Sequence, residues 1–377
     1  MLEFLFFVSL LGVVYSYFLY PLLLLPFQGR NRLQPDLPSG EPPMMTFIIT
    51  AYNEEAGIAD KIEDTLKARY PQGRLEILVA SDGSTDRTNA IVEGYADRGV
   101  ELVDVPDRKG KENAQWHAIR RARGELLVFS DVSTRIEESA LERIAEDFCI
   151  SRVGAVSSED RFITEDGKIA GEGAYVKYEM WLRKLESSAY SLVGLSGSFF
   201  ACRAEIAEDW NTGIPSDFNT AINCVRKGRI AITDPQLLGF YPNLKDESRE
   251  FQRKVRTVLR GMAALFHDPS LLNPLRYGFF SFELISHKLM RWLVPGFMLA
   301  TLLINLLLPW TGFYGLILAA QLGFYGLGAA AFVNTGLREH KLIKLIYFFI
   351  QVNLAIAQAW TLYLRGQRIA RWEPSKR

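Results

Sequence analysis

The sequence predicts an α/β domain, a mostly parallel sheet flanked by helices, held between membrane-spanning helices at both ends of the chain. Three observations carry this. Between about residues 40 and 250, short β-branched apolar runs alternate with stretches of helical spacing. From Phe4 to Phe27, and again from Trp292 to Leu337, no residue is charged. The polar residues of the middle region collect where its apolar runs end.

The first uncharged run exceeds the roughly 20 residues a helix needs to cross a bilayer. A cleaved signal peptide competes with this reading. The run is too long for one, is preceded by Glu3 rather than a basic residue, and is followed by no small-x-small cleavage site. The second run holds two spans, with Pro309-Trp310-Thr311-Gly312 as the turn between them. A third candidate runs from Leu345 to Leu364, and its Gln351, Asn353 and Gln358 would face other helices rather than lipid. The expected organisation is an N-terminal transmembrane helix (1–28), a cytoplasmic domain (40–250), amphipathic interfacial helices (251–290), about three transmembrane helices (291–364) and a basic tail (365–377).

Arg30 and Arg32 follow the first span, and Arg338, Lys341 and Lys344 precede the last; both groups belong on the cytoplasmic side. Strict alternation would place the basic tail outside, so one apolar segment lies at the interface or the tail is an exception. The expectation is an integral plasma (inner) membrane protein with its middle domain in the cytoplasm. With 43 basic and 43 acidic side chains, the chain has no general basic field for nucleic acid. Three scattered cysteines and four histidines form no zinc pattern and fit a reducing compartment.

Within the middle region the expected strands are residues 45–50 (MTFIIT), 75–80 (LEILVA), 100–105 (VELVDV), 125–130 (ELLVFS) and 153–158 (VGAVSS). Helical stretches span Ala56 to Ala68, the residues after DGSTDRT, Lys111 to Ala122, and Glu137 to Phe148. Parallel sheets bind ligands outside the carboxyl ends of their strands. Strand one runs into Tyr52-Asn53-Glu54-Glu55, strand two into Asp82-Gly83-Ser84-Thr85-Asp86, and the strand ending at Ser130 into Asp131. Some of these have plainer readings. DGSTD also suits a strand-to-helix turn, and Thr134 with Glu137 reads as a capping box. Asp131 precedes that cap and is not explained by it.

Taken together, TAYNEE (50–55), LVASDGSTDRT (78–88), RKGKENAQ (108–115), VFSDVST (128–134), SGSFFACR (196–203), PSDFNTAINCVRKG (215–228), EFQRKVRTVLRG (250–261) and SHKLMRWLVP (286–295) resemble a membrane-bound family 2 glycosyltransferase. That family has the Rossmann-like GT-A fold and includes cellulose and hyaluronan synthases. The resemblance implies that Tyr52, Glu54 and Asp82 hold uridine and ribose, with Asp82 accepting from the uracil ring. It implies that Lys111 contacts the nucleotide and that Asp131, with Ser133 in the second aspartate's place, binds Mg2+ or Mn2+. Asp217 matches the catalytic base, and Arg253 and Arg256 fall near the residues that embrace the leaving diphosphate.

Sugar transfer asks for such groups on chemical grounds. Negative charge develops on the departing diphosphate, which a hard dication and Arg side chains neutralise. A sugar hydroxyl is a weak nucleophile, and a positioned carboxylate removes its proton. Several positions depart from the family pattern. Ser133 and Ser216 replace acids, Trp116 stands where relatives have Asn, and Thr257 follows Arg256 where the family's QxxRW motif has Trp. Asp217 also opens an apparent helix and would serve as its cap. Arg253 and Arg256 lie on an amphipathic stretch suited to anionic lipid. Trp181, Ser196 to Phe200 and Trp210 are candidates for choosing the donor sugar.

The expected function is inverting, metal-dependent transfer from a UDP-sugar donor to a growing glycan in cell-surface or extracellular polysaccharide synthesis, with polysaccharide-synthesis proteins as possible partners. Single-sugar transfer to a polyprenyl-phosphate or other lipid-linked acceptor is the alternative. A catalytically inactive nucleotide-sugar-binding subunit is a third reading, suggested by the two lost acids.

Overall fold

The computed structural model describes residues 1–31, 34–36, 40–163, 174–242 and 247–367. Most of the basic tail, from Arg368 onward, falls outside the described residues. The chain divides into two compact units, one formed by residues 1–23, 246–272 and 281–369, the other by residues 24–245, 273–280 and 370–377.

The larger unit is the α/β domain. Its strands are β1 (Met45–Ala51), β2 (Leu75–Asp82), β3 (Val100–Val105), β4 (Leu126–Asp131), β5 (Arg135–Ile136), β6 (Val153–Ile163), β7 (Phe199–Arg203) and β8 (Ile230–Pro242). They form one sheet in the order β3-β2-β1-β4-β7-β6-β8-β5. β1, β2, β3 and β4 pair in parallel, as do β6 and β8. β7 enters antiparallel between β4 and β6.

Helices cover both faces, so β1 is buried along its whole length and reads as an unbroken apolar run. Phe47 and Ile49 face Ile58 and Ile62 of the helix Ile58–Leu66 together with Leu141 and Ile144. Ile48, Leu78 and Phe129 point the other way, onto Ala114 and Ala118 of the helix Lys111–Ile119. Each such side chain contributes about 1.5–3 kcal/mol.

Two local features differ from the sequence-based expectation. The capping box at Thr134 and Glu137 does not form. Arg135 and Ile136 are extended and pair with Phe240 and Gly239 of β8, and the helix begins only at Ala140. Ile136 is buried, so packing its side chain holds these residues out of a helical first turn. β6 extends five residues past Ser158 and stays paired with β8 to its end, with register irregularities between Val153 and Ala155 and between Ser157 and Glu159.

The other unit carries the apolar helices. Four candidate membrane spans are present among the described residues: Leu2–Phe27, Phe279–Leu306, Gly312–Val333 and Lys341–Leu364. The helical segment that carries the apolar run from Trp292 begins at Phe279. Two π-helical turns, Tyr15–Leu19 and Ile285–Leu289, are joined by Tyr15 Oη and Ser286 Oγ at 2.9 Å. The amphipathic helix Glu247–His267 belongs to this unit and buries Val255, Leu259, Met262 and Leu265. Gly261 there lies against Trp292, whose carbonyl accepts from Trp360 Nε1 at 2.8 Å. Outward apolar side chains such as Phe4, Leu303, Leu316 and Phe332 are more than half exposed, as lipid-facing positions require.

Candidate active site

The parallel register sets Asp131 beside Thr50 and Ser81 beside Ala51, so the polar turns after β1, β2 and β4 share one edge of the sheet. The first two turns are laced together. Asn53, at φ 51°, accepts from Thr85 N at 2.8 Å, and its own N–H donates to Ser84 Oγ at 3.1 Å. Glu54 N donates to Thr88 Oγ1 at 2.8 Å, and Glu55 N donates to Asp86 Oδ2 at 3.1 Å. DGSTD is therefore a turn and also a clamp on the loop after β1. Asp86 sits below its ordinary value: burial pushes it up, and the Thr88 hydroxyl and backbone N–H outweigh that.

Of the residues the sequence assigned to the nucleotide, Tyr52 and Asp82 meet the segment before the helix Lys111–Ile119. The Arg108 guanidinium lies 3.8 Å from the Tyr52 ring centroid. Asp82 is buried and accepts from Lys109 N (3.0 Å) and Gly110 N (2.8 Å). Its carboxylate holds this turn in shape. Gly110, at φ 106°, supplies the bend that starts the helix at Lys111. Glu54 is half-buried beside them.

Lys111 reaches across to β4. Its Nζ donates to Asp131 Oδ1 at 2.5 Å and to the Gly197 carbonyl at 2.7 Å, and its side chain is 7% exposed. Gly197 comes from the loop before β7. Because β7 pairs with β4, Asp131 N donates to Ser198 O at 3.0 Å. Leu195 N donates to the Asp217 carbonyl at 3.4 Å. A Cβ placed on Gly197 would lie 3.9 Å from Oδ2 of Asp217. Asp131, Lys111, Gly197 and Asp217 therefore converge on one place. Asp217 lies in the first turn of the helix Ser216–Arg226, and the N-cap position belongs to Pro215. Asp217 is therefore not the N-cap residue that the sequence suggested.

The same loop is braced from behind. Ser196 N donates to Ser157 Oγ at 2.7 Å, Ser196 Oγ to Asp160 Oδ1 at 2.5 Å, and Arg183 Nη2 to the Leu195 carbonyl at 3.0 Å. Trp210 is buried, stacked on Phe129 at 5.2 Å, and its indole N–H donates to the Glu112 carbonyl. Trp181 is 41% exposed.

Arg253 and Arg256 belong to the helix Glu247–His267 in the other compact unit. Arg253 makes a bidentate pair with Glu250, both contacts at 2.8 Å.

Lys61 is a site residue that the sequence analysis passed over. It lies on the buried stripe of the helix Ile58–Leu66, with Ile58, Ile62 and Thr65. Its Nζ donates to the Thr134 carbonyl at 2.6 Å, just past Asp131, and lies 5.2 Å from the Phe47 ring centroid. Burial, opposed by Asp64 and Asp131, brings it from 10.5 down to about 8. A lysine on an otherwise apolar helical stripe was the available signal.

Residues 46–210 fit the model of glycosyl transferase family 2. The match covers much of the α/β domain and less than half of the chain. Poly-beta-1,6-N-acetyl-D-glucosamine synthase of Staphylococcus epidermidis is 27% identical to the chain over 176 residues, which are 45% of this chain and 42% of that protein. The same synthase of Staphylococcus aureus is 25% identical over 187 residues, 48% of this chain and 45% of that protein. The chain thus spans less than half the length of the curated relatives it matches. A mannosyltransferase of Pyrobaculum calidifontis, solved with GDP-Man and Mn2+, superposes with a TM-score of 0.72 at 21% identity, over 97% of this chain and 100% of that one. Over that length the chain shares that protein's fold.

Proposed function

We propose that the chain is a membrane-embedded, inverting glycosyltransferase. It would take a sugar from a UDP-sugar and pass it to a growing glycan of the extracellular polysaccharide type, with the family 2 domain on the cytoplasmic side. The observation that carries this is the convergence of Asp131, Lys111 and Asp217 around Gly197. The Staphylococcus relatives supply the polysaccharide class.

In this reading the acceptor hydroxyl lies against Asp217. Its carboxylate takes the proton as the hydroxyl oxygen attacks the anomeric carbon from the face opposite the diphosphate. The bond from that carbon to the diphosphate oxygen breaks, and its electron pair leaves on the nucleoside diphosphate. Lys111 lies where that negative charge collects. Tyr52, Glu54 and Asp82 border the nucleotide end, with Asp82 acting through the backbone of Lys109 and Gly110.

The family implies a dication, and the fit of the donor set can be tested. No group of three or more His, Cys, Asp or Glu residues able to hold a metal occurs among the described residues. Asp131 offers one carboxylate, with Ser133 beside it. One carboxylate suits Mg2+ or Mn2+ when substrate phosphates and water complete the shell. Asp131 and Ser133 would therefore hold the ion together with the donor diphosphate, where it supplies charge neutralisation for the leaving group.

A second reading keeps the chemistry and transfers one sugar to a lipid-linked acceptor. It is favoured by Thr257 where processive relatives have Trp. The deciding experiment incubates membranes containing the full chain with UDP-sugars, UDP-GlcNAc first, and with GDP-mannose, in Mn2+ or Mg2+. Release of UDP from at least one UDP-sugar supports the proposal. Release of GDP alone reassigns the donor, and no release under any condition supports an inactive nucleotide-sugar-binding subunit.

A further inference from the structure

We propose that the Lys111 ammonium is the resident counter-cation of Asp131, and that a divalent metal gains this carboxylate only after a nucleoside diphosphate has drawn Lys111 away. This deepens the transfer reading and rests on it for the identity of the ligands.

Lys111 occupies the first position of the helix Lys111–Ile119, where the helix dipole disfavours a cation. Burial at that position adds to the cost. What offsets both is its pair of contacts, the 2.5 Å bond to Asp131 Oδ1 and the 2.7 Å bond to the Gly197 carbonyl. The ammonium therefore takes one oxygen of the carboxylate that a metal would need. A second ammonium, Lys61, is fully buried behind the same turn, with Asp131 within its electrostatic reach. The motif's other acid is Ser133. Lys111 thus neutralises the single motif carboxylate and competes with a free dication for it.

A diphosphate reverses this balance. It brings several negative oxygens and gives Lys111 an alternative partner. Its displacement frees Asp131 Oδ1, and the phosphates supply the ligands that the protein lacks. Metal and nucleotide should then bind with strong mutual preference, each tightening the other by the same factor.

The test is Mn2+ binding to the detergent-solubilised full chain, followed by electron paramagnetic resonance of free Mn2+, without nucleotide and with saturating UDP or GDP. The Mn2+–nucleotide complex is measured separately and subtracted. The wild type should bind Mn2+ about 100-fold more tightly with nucleotide. Lys111→Met should bind Mn2+ at least about 10-fold more tightly than wild type when nucleotide is absent, with the nucleotide effect reduced. Lys111→Arg, which keeps the charge, should retain wild-type coupling, and Asp131→Asn should lose Mn2+ in both states. Near-ultraviolet circular dichroism confirms that each variant is folded. If the charge-removing variant misfolds, Lys111→Gln takes its place, with the same expectation.

Equal Mn2+ affinity with and without nucleotide in the wild type overturns the proposal. So does unchanged nucleotide-free affinity in the folded, charge-removed variant. The readout is metal binding. Coupling without sugar transfer would defeat the transfer reading alone, and transfer without coupling would defeat this proposal alone.

Discussion

Lys61 makes a quantitative prediction about pH. Its side chain has no exposed surface, its Nζ holds the Thr134 carbonyl at 2.6 Å, and Asp64 Oδ2 is 3.9 Å away. Burial lowers it from 10.5 to about 8, against Asp64 and Asp131 and with Arg135. That difference corresponds to about 3 kcal/mol. Between these two values the unfolded chain still binds the proton that the folded chain has released, so stability rises with pH. The burial cost is fully present below pH 8 and is relieved as pH climbs to 10.5. The neutral amine can still donate to Thr134, so the turn after Asp131 keeps its contact. Lys61→Met abolishes the titration and adds an offset independent of pH. Thermal unfolding of the detergent-solubilised full chain, followed by tryptophan fluorescence, should show the wild type gaining on the variant by about 3 kcal/mol from pH 7 to 10.5. For a domain of this size that is roughly 6–12 °C in Tm. Melting curves that shift in parallel across this range would refute the reasoning.

Other outcomes follow from the same coordinates. Burial and then the charge of Asp234 push Asp147 from 3.8 up to about 7, against Arg143. Its stabilisation is present below pH 3.8 and is lost as pH rises through 7, so Asp147→Asn should be more stable than wild type by about 2–4 kcal/mol at pH 8 and equal near pH 4, measured by the same melts. Gly197→Ala sets a methyl in ordinary contact with Asp217, 3.9 Å from its carboxylate. It should leave Tm within about 1 °C, because ordinary contact adds little strain, while turnover falls severalfold in a nucleotide-release assay. Gly124→Ala drives a Cβ into the backbone N of Thr46 and should destabilise the domain by about 1–3 kcal/mol.

Much of this organisation was readable from sequence. The strands at 45–50 and 75–80 are largely apolar runs because they are buried on both faces, the edge strand at 100–105 leaves Asp104 exposed, and β1 to β3 fall within two residues of those bounds. Asp82 and Asp131 end strands as expected. Local pattern carried no signal for β7, whose antiparallel place between β4 and β6 depends on contacts distant in sequence. That strand brings Gly197 to Lys111, so the bridge between the two halves of the site was equally hidden. Thr134 and Glu137 satisfied a capping rule, but burial of Ile136 against β8 outweighed it. Lys111 was placed correctly at a helix start and assigned to the nucleotide, while its contact with Asp131 required the sheet to be assembled first. Arg253 and Arg256 matched a motif by order along the chain, and the structure gives Arg253 a partner in Glu250.

The most direct test of the central claim, that Asp131 and Asp217 serve one reaction, compares sugar transfer with nucleotide binding in Asp217→Asn. Loss of the base should lower turnover by about 100- to 10,000-fold, with nucleoside diphosphate affinity within about twofold of wild type. Turnover equal to wild type, with the variant folded and nucleotide-bound, would contradict it.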